Sequence, residues 1–130
     1  MSIESKIYVS GKWSDRKSIG DKINILEKMS YTITHNWTLV ETPHSDRIPE
    51  MQRLFADLDV NGVKDASLLI VDMTDPNYSY RGTWTEIGIA LGTGKEIWII
   101  SKNPSTNVFF HATGIIHFAS WMEVFSELHR

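Results

Sequence analysis

Short apolar runs recur along the chain and are separated by segments of helical periodicity. The most apolar of them is Ser67–Asp72, a composition typical of a central parallel strand buried on both faces. Lys6–Ser10 and Glu96–Ile100 predict two more strands. Tyr31–Val40 is rich in β-branched and aromatic residues and predicts another, and Ile115–Phe118 predicts a short last strand.

Apolar residues at helical spacing predict helices between and after these strands. Helices are expected from Ser14 or Asp15 to about Met29, from Pro49 to about Val60, over Thr83–Gly92 and over Trp121–Leu128. Asn61-Gly62 is expected to end the second helix, and Glu41–Pro49 is expected to form the longest polar loop.

This alternation of strands and helices predicts one α/β domain over residues 1–130. The expected architecture is a three-layer α/β/α sandwich with a five-stranded, mainly parallel sheet of flavodoxin-like or Rossmann-like type. Such sheets bind ligands beyond the carboxyl ends of the strands, near the point where strand order reverses. The candidate binding loops are therefore Gly11–Ser14, Asp72–Gly82 and Ser101–Thr106.

Composition narrows the possible chemistry. The 130 residues include 13 basic and 16 acidic ones, for a net charge of −3, and no long basic run supports binding to a nucleic-acid backbone. The absence of cysteine excludes disulfides, thiolate catalysis and cysteine-ligated zinc. No apolar run approaches the roughly 20 residues of a membrane span. With no signal-peptide pattern at the start, we expect a soluble, cytoplasmic protein without membrane partners.

The segment from Gly82 to Gly88 is the most informative, because it follows a buried strand and a loop and opens a helix. Thr83 and Glu86 have the spacing of a capping box, with Thr83 as the N-cap. A second role for Glu86 is compatible with this one. In the first helical turn the helix dipole favours an ionised carboxylate, and a carboxylate beside a bound sugar can attack its anomeric carbon.

Two further residues fit such chemistry, although each also has a structural interpretation. Asp59 lies near the end of the second helix, where it is either a solvent-exposed residue or a general acid that protonates a leaving group. Tyr8 lies within the first strand, so it is expected to belong to the core. A buried tyrosine hydroxyl needs a partner, and a carboxylate is one candidate.

Four segments in order along the chain resemble the nucleoside 2-deoxyribosyltransferase family, including its nucleotide N-hydrolase relatives. The most specific is Gly82-Thr83-Trp84-Thr85-Glu86-Ile87-Gly88-Ile89-Ala90, followed by Gly94-Lys95, which resembles the family's Gly-Thr-x-x-Glu-(Leu/Ile)-Gly-x-Ala…Gly-Lys signature. The others are Ile7–Arg16, Asp59–Lys64 and Asn107–His111 with Ile116–Phe118 after it.

The resemblance implies a role for each matching residue. Glu86 would be the nucleophile that forms a covalent deoxyribosyl intermediate, Tyr8 would orient its carboxylate, and Asp59 would exchange a proton with the base. Asn107 would reach the sugar in a neighbouring subunit's site, which implies a homo-oligomer. Four further residues in or next to the candidate binding loops are candidates for contact with the substrate, namely Gly11, Trp13, Gly82 and Thr83, and Trp13 could stack on the base.

The chain departs from the family pattern six residues before the nucleophile. The family has a sugar-binding aspartate there, whereas this chain has Tyr80, followed by Arg81. Asp72 or Asp75 is a candidate replacement, and Arg81, Lys12, Arg16 or Lys17 is a candidate for binding a 5′-phosphate. The choice between a nucleoside and a nucleotide substrate therefore stays open.

The expected activity is cleavage of the N-glycosidic bond of a 2′-deoxynucleoside or its 5′-monophosphate, with transfer of the sugar to a free nucleobase or to water. No cofactor is required, and the spacing of the five histidines indicates no metal site. The alternatives are a nucleotide-binding module without catalysis, a receiver-type signalling domain and an NAD glycohydrolase. The receiver interpretation lacks support because Ser10-Gly11-Lys12 stands where receivers have acidic residues.

Overall fold

The computed structural model describes residues 4–40 and 48–130. Five strands and four α-helices follow one another as β1 (Lys6–Ser10), α1 (Arg16–Lys28), β2 (Thr32–Ile33), α2 (Pro49–Asp65), β3 (Leu68–Asp72), α3 (Arg81–Gly92), β4 (Glu96–Ile100), β5 (Ile116–Phe118) and α4 (Trp121–His129). The predicted loop Glu41–Pro49 lies largely outside the described residues, and α2 begins at Pro49, where the fixed φ of proline suits a first helical position.

All four strand pairings are parallel, in the order β2-β1-β3-β4-β5. Every residue of β3 is buried, because this strand pairs on both sides and is covered on both faces. Helices α2 and α3 pack against each other on one face. The Tyr31 hydroxyl, just after α1, donates to the Leu128 carbonyl of α4 at 3.4 Å, so these two helices share the other face. The predicted α/β/α sandwich is confirmed.

Strand order reverses between β1 and β3, since β1 leads to β2 on one side while β3 leads to β4 on the other. The carboxyl ends of β1 and β3 lie side by side, with Ser10 paired to Val71. A crevice opens at such a reversal, and it is the usual ligand site of this architecture.

The prediction of a strand over Tyr31–Val40 is wrong for most of its length. Only Thr32–Ile33 pairs with the sheet, and Trp37–Leu39 forms a 3-10 helix. The Asn36 side chain caps this turn by accepting from the Thr38 N–H at 3.1 Å. The Trp37 indole N–H donates to the Val9 carbonyl at 2.6 Å, so its bulk fills the core rather than extending a strand.

The sequence predicts that α2 ends at Asn61-Gly62, but the helix continues to Asp65. A Cβ at position 62 would lie 2.8 Å from the Tyr8 ring and 3.0 Å from the His35 Cβ. Glycine is therefore present for a close approach to β1, which offsets its cost of about 1 kcal/mol relative to alanine inside a helix.

Helix α3 begins at Arg81, and its N-cap is Tyr80 in the left-handed conformation, with φ 53° and ψ 41°. Thr83 is thus the third residue of the helix, and the predicted capping box is wrong. Glu86 consequently lies in the second turn, where the helix dipole has little effect on a carboxylate. Its burial and its contacts with β1 must therefore set its ionisation.

Candidate active site

A cavity of about 390 Å³ opens at the carboxyl edge of the sheet, beside the reversal of strand order. Residues from β1, α2 and α3 line it, together with the loops that follow β1 and β3. Eight of the residues predicted from the sequence meet in its wall: Tyr8, Gly11, Trp13, Asp59, Tyr80, Gly82, Thr83 and Glu86. They span most of the chain, so the fold brings the three most specific matching segments together.

The Glu86 carboxylate is held by two hydroxyl groups from β1. Tyr8 Oη donates to Oε2 at 2.6 Å, and Ser10 Oγ donates to Oε1 at 2.5 Å. Tyr8 and Ser10 point to the same face of the sheet because alternate residues of a strand do so. Both carboxylate oxygens are thereby fixed, and the side chain is oriented toward the cavity.

Burial raises the pKa of Glu86 to about 7, even though the hydrogen bonds from Ser10 and Tyr8 favour the ionised form. The negative charge of Asp59 raises it further. Burial, with Glu86 and Asp59 nearby, also raises the pKa of Tyr8 far above its ordinary range. Tyr8 therefore stays a neutral hydrogen-bond donor. Glu86 changes its charge near neutral pH, as suits a group that must be ionised at one step of a reaction.

Asp59 lines the same cavity from α2 and is partly exposed. Its Oδ1 lies 3.5 Å from His35 Nε2, a residue just beyond the end of β2. The cavity therefore holds two carboxyl groups on two neighbouring helices, with the Tyr8 hydroxyl close to both.

Thr83 is buried beneath the site. Its hydroxyl lies 3.2 Å from Ser10 Oγ, so it extends the row of hydrogen bonds that begins at Glu86. Gly82 is exposed at the start of α3 and leaves the cavity wall open there. Thr83 therefore supports Ser10, whereas Gly82 leaves space in the cavity wall for a ligand.

Aromatic side chains form another part of the wall. Trp13 and Trp37 have ring centroids 6.4 Å apart, and both line the cavity. Since the Trp37 indole is anchored to the core, its ring is a rigid backing for Trp13. The Arg16 guanidinium lies over the Trp13 ring, with its Cζ 4.7 Å from the ring centroid. A flat ligand could stack against this wall.

A polar cluster lies at the mouth of the cavity. Lys12 Nζ donates to Asp75 Oδ2 at 2.6 Å and lies 5.4 Å from the Tyr78 ring centroid. The hydrogen bond with Asp75 raises the pKa of Lys12, and in return Lys12 lowers the pKa of Asp75. Tyr80 Oη accepts from the Asp75 backbone N–H at 3.0 Å, so the tyrosine at the family's aspartate position organises this loop.

Three residues that the sequence suggested for substrate binding, Asp72, Arg81 and Asn107, do not line this cavity. Asp72 is buried behind it, where its oxygens accept from the Trp121 indole and the Thr74 hydroxyl, each at 2.9 Å. Arg81 is exposed on the first turn of α3. Asn107 caps the 3-10 helix Val108–His111 by accepting from the Phe109 N–H at 2.9 Å. It borders a second concavity of about 430 Å³.

Sequence reasoning missed Ser10, His35 and Gln52. Ser10 is the last residue of β1, and a hydroxyl at the carboxyl end of a strand beside the reversal was a usable signal. Gln52 lines the cavity from the first turn of α2. No pattern in the sequence pointed to His35, because β2 was predicted to continue through it.

Two properties concern the described part of the chain as a whole. No helix in residues 4–40 or 48–130 is long and apolar enough to cross a membrane. Within the same ranges, no three side chains among His, Asp and Glu come together in a way that could hold a metal ion.

The parallel order 2-1-3-4-5 with a cavity at the β1–β3 reversal defines the flavodoxin-like class of α/β domains. Three solved structures share this fold. A CMP N-glycosidase from Clostridium botulinum is similar with a TM-score of 0.63 and 22% identity, over 95% of this chain and 98% of that one. A 2-deoxyribosyltransferase from Bacillus psychrosaccharolyticus has a TM-score of 0.65 and 21% identity, over 92% and 90%.

A 2-deoxyribosyltransferase from Leishmania mexicana has a TM-score of 0.64 and 15% identity, over 95% of this chain and 96% of that one. No protein-family model and no curated protein matches the chain. At these identities the similarity is one of fold. The fold implied by the sequence resemblance is thereby confirmed.

Proposed function

We propose that the protein is an enzyme of the nucleoside 2-deoxyribosyltransferase type, which cleaves the N-glycosidic bond of a 2′-deoxynucleoside or its 5′-monophosphate. The observation that carries the proposal is the Glu86 carboxylate, which is held by Tyr8 and Ser10 and opens into a cavity that Asp59 also lines. The fold shared with an N-glycosidase and two deoxyribosyltransferases supports it.

In the proposed reaction, a Glu86 oxygen attacks C1′ from the face opposite the base. The C1′–N bond breaks, its electron pair goes to the base, and Asp59 gives a proton to a base nitrogen. A covalent deoxyribosyl ester on Glu86 remains. A second base or water then attacks C1′ and releases Glu86, while Asp59 takes a proton back. Both steps invert C1′, so the product retains the configuration.

The other predicted substrate-binding residues have roles that suit this reaction. The base would lie against Trp13, and the sugar would lie over Gly11, Gly82 and Thr83 near Glu86. Tyr80 organises the loop at the mouth through Asp75. The contacts of Asp72 favour a structural role over the sugar-binding one suggested by the sequence, and Arg81 stays a candidate for contact with a 5′-phosphate.

We also propose that the active form is a homo-oligomer in which Asn107 reaches a neighbouring site. Val108 and Phe109, next to Asn107, are apolar residues whose surfaces are 74% and 57% exposed. Light scattering after size exclusion measures the subunit number. An Asn107→Ala variant that assembles as the wild type does but has a raised KM would support this role, whereas an active monomer would contradict it.

The decisive experiment measures base release by liquid chromatography from a panel of 2′-deoxynucleosides and their 5′-monophosphates. Each substrate is incubated with and without a second free base, and the matching ribonucleosides are included. Transfer requires the second base, whereas hydrolysis does not. Intact-protein mass spectrometry with a 2′-fluoro-arabinosyl substrate, whose fluorine slows turnover, tests for a covalent sugar adduct, and peptide mapping tests whether the adduct is on Glu86.

A second candidate function is a nucleotide-binding module without catalysis. Tyr80 favours it, because its hydroxyl is engaged with the Asp75 backbone where the family has a sugar-binding carboxylate. In that case a nucleotide would raise the melting temperature while no substrate in the panel released base. Glu86→Ala would then leave the affinity unchanged.

A further inference from the structure

His35 lies behind Asp59 and outside the cavity wall. It lies just beyond the end of β2, after Thr34, and its Nε2 lies 3.5 Å from Asp59 Oδ1. Both of these atoms are shielded from solvent, although the two side chains are partly exposed elsewhere, at 18% and 27%. The imidazole therefore presents its nitrogen to the one carboxyl group of the site that the proposed reaction uses as an acid.

The position of α2 is fixed against His35 by two independent contacts. Thr34 Oγ1 donates to the Gly62 carbonyl at 2.6 Å, which ties α2 to the end of β2. Gly62 itself approaches the Tyr8 ring and the His35 Cβ so closely that no side chain fits between them. Asp59 is three residues before Gly62 and faces the same side of the helix.

The chemistry of Asp59 changes during the proposed reaction. Once it gives its proton to the departing base, a carboxylate remains in a partly buried place, with the Tyr8 hydroxyl and the Glu86 carboxyl facing it from β1 and α3. Hydrogen-bond donors lower the cost of holding a carboxylate in such a place. His35 faces Oδ1 and can act as one of these donors through an Nε2–H.

We propose that His35 is a positioning residue that acts through Asp59: its Nε2–H orients Oδ1 and stabilises the carboxylate left when the base takes the proton. No proton moves from His35, so the proton balance of the reaction is unchanged. This inference rests on the proposed function and adds one residue to it. His35 touches neither the sugar nor the base.

The test is a series of 2′-deoxynucleosides that differ in how much their base needs a proton in order to leave. Suitable pairs are 2′-deoxyuridine with its 5-fluoro derivative, and 2′-deoxyguanosine with its N7-methylated cation, which leaves as a neutral base. The variants are His35→Phe and His35→Ala, which remove the donor, and His35→Gln, which keeps one. His129→Phe, an exposed position on α4, is the matched control.

We expect His35→Phe and His35→Ala to lower kcat about 10-fold or more for the poor leaving groups, since a general acid contributes about 10²–10⁴-fold. The activated partner of each pair should change by less than about 3-fold, because it needs little acid catalysis. His35→Gln should recover most of the loss, and Asp59→Asn should show the same selective loss. Circular dichroism shows which variants fold, and either donor-free variant suffices.

Three outcomes would count against the inference. Equal losses across the series, with no recovery in His35→Gln, would make His35 a purely structural residue and leave the proposed function intact. Additive losses in the His35→Ala/Asp59→Asn double variant would show that His35 does not act through Asp59. No base release from any member of the series by the wild type would overturn the proposed function and this inference together.

Discussion

Two buried carboxyl groups at the carboxyl edge of the same sheet have very different surroundings. Glu86 is held by two hydroxyls and opens into a cavity, with a second carboxyl group, Asp59, in the same wall. Asp72 is only 6% exposed, and its oxygens accept from the Trp121 indole and the Thr74 hydroxyl. Burial and hydrogen bonding alone therefore do not identify a reactive carboxylate. Access to a cavity and a nearby acid distinguish the Glu86 region from the Asp72 region.

The largest expected effect separates the two regions by activity. Glu86→Gln should lower the rate of base release by about 10³-fold or more, because it removes the proposed nucleophile while keeping the size of the side chain. Asp72→Asn is the matched control and should retain the wild-type rate within about 5-fold, since Asp72 does not line the cavity. Chromatography of released base measures both. A similar loss in the two variants would remove the functional distinction.

The second effect separates them by the pH dependence of stability. Because burial raises the pKa of Glu86 to about 7, the folded state keeps a proton between about pH 4.5 and 7 that the unfolded chain releases. Wild-type stability is thus lost as pH rises through this window. Glu86→Gln should unfold with up to about 3 kcal/mol more free energy than the wild type at pH 8, and with no such advantage at pH 4.

Urea unfolding at both pH values measures this difference. The Asp72→Asn variant again serves as the control: the Asp72 carboxylate accepts from two donors, and an amide cannot replace both acceptors, so no gain in stability is expected. A Glu86→Gln protein that is less stable than the wild type at pH 8 would show that burial does not destabilise the ionised Glu86 carboxylate.

The third effect tests whether Asp72 has a structural role. Trp121→Phe removes the donor to Asp72 Oδ2 and leaves a buried oxygen without it, which should cost about 1–3 kcal/mol of unfolding free energy. A double variant with Asp72→Asn measures the coupling of the pair. If Trp121→Phe left the stability unchanged, the structural role assigned to Asp72 would be wrong.

The smallest effect concerns the support of Glu86. Ser10→Ala removes a donor that favours the ionised form, so the pKa of Glu86 should rise and the acid limb of the pH–rate profile should move upward from about 7. A shift of about 0.5–1 unit is expected, equivalent to about 1 kcal/mol. Thr83→Val removes the hydroxyl behind Ser10 and should shift the acid limb of the profile less. An unmoved limb in Ser10→Ala would assign it to another group.

Much of the fold could be predicted from the sequence because the central strands have an unambiguous composition. β3 is apolar up to its last residue, Asp72, and is buried throughout, and β1 and β4 have the predicted bounds. Errors fell where a tertiary contact decides local structure. Gly62 is a residue typical of helix ends, yet α2 continues through it. The Tyr8 ring lies so close that only glycine fits at this position.

The site shows the same division. Glu86 stood out through a motif, Asp59 and Tyr8 stood out through their places in the predicted elements and through the family resemblance, and all three line one cavity. Ser10 and His35 act through groups that are distant in sequence, and neither carries a motif of its own. The start of α3 was also missed, because a left-handed tyrosine as N-cap is uncommon and Thr83 offered a more ordinary cap.

The hydrogen bond between Tyr8 and Glu86 has a consequence for how the protein folds. It joins residues that are 78 positions apart, so no fragment that lacks either β1 or α3 can contain the site. Closing a segment of this length has an entropic cost, and folds rich in contacts between distant residues tend to form slowly. Base release should therefore not return during refolding before β1 and α3 have docked against each other, and its recovery would serve as a kinetic marker of that long-range contact.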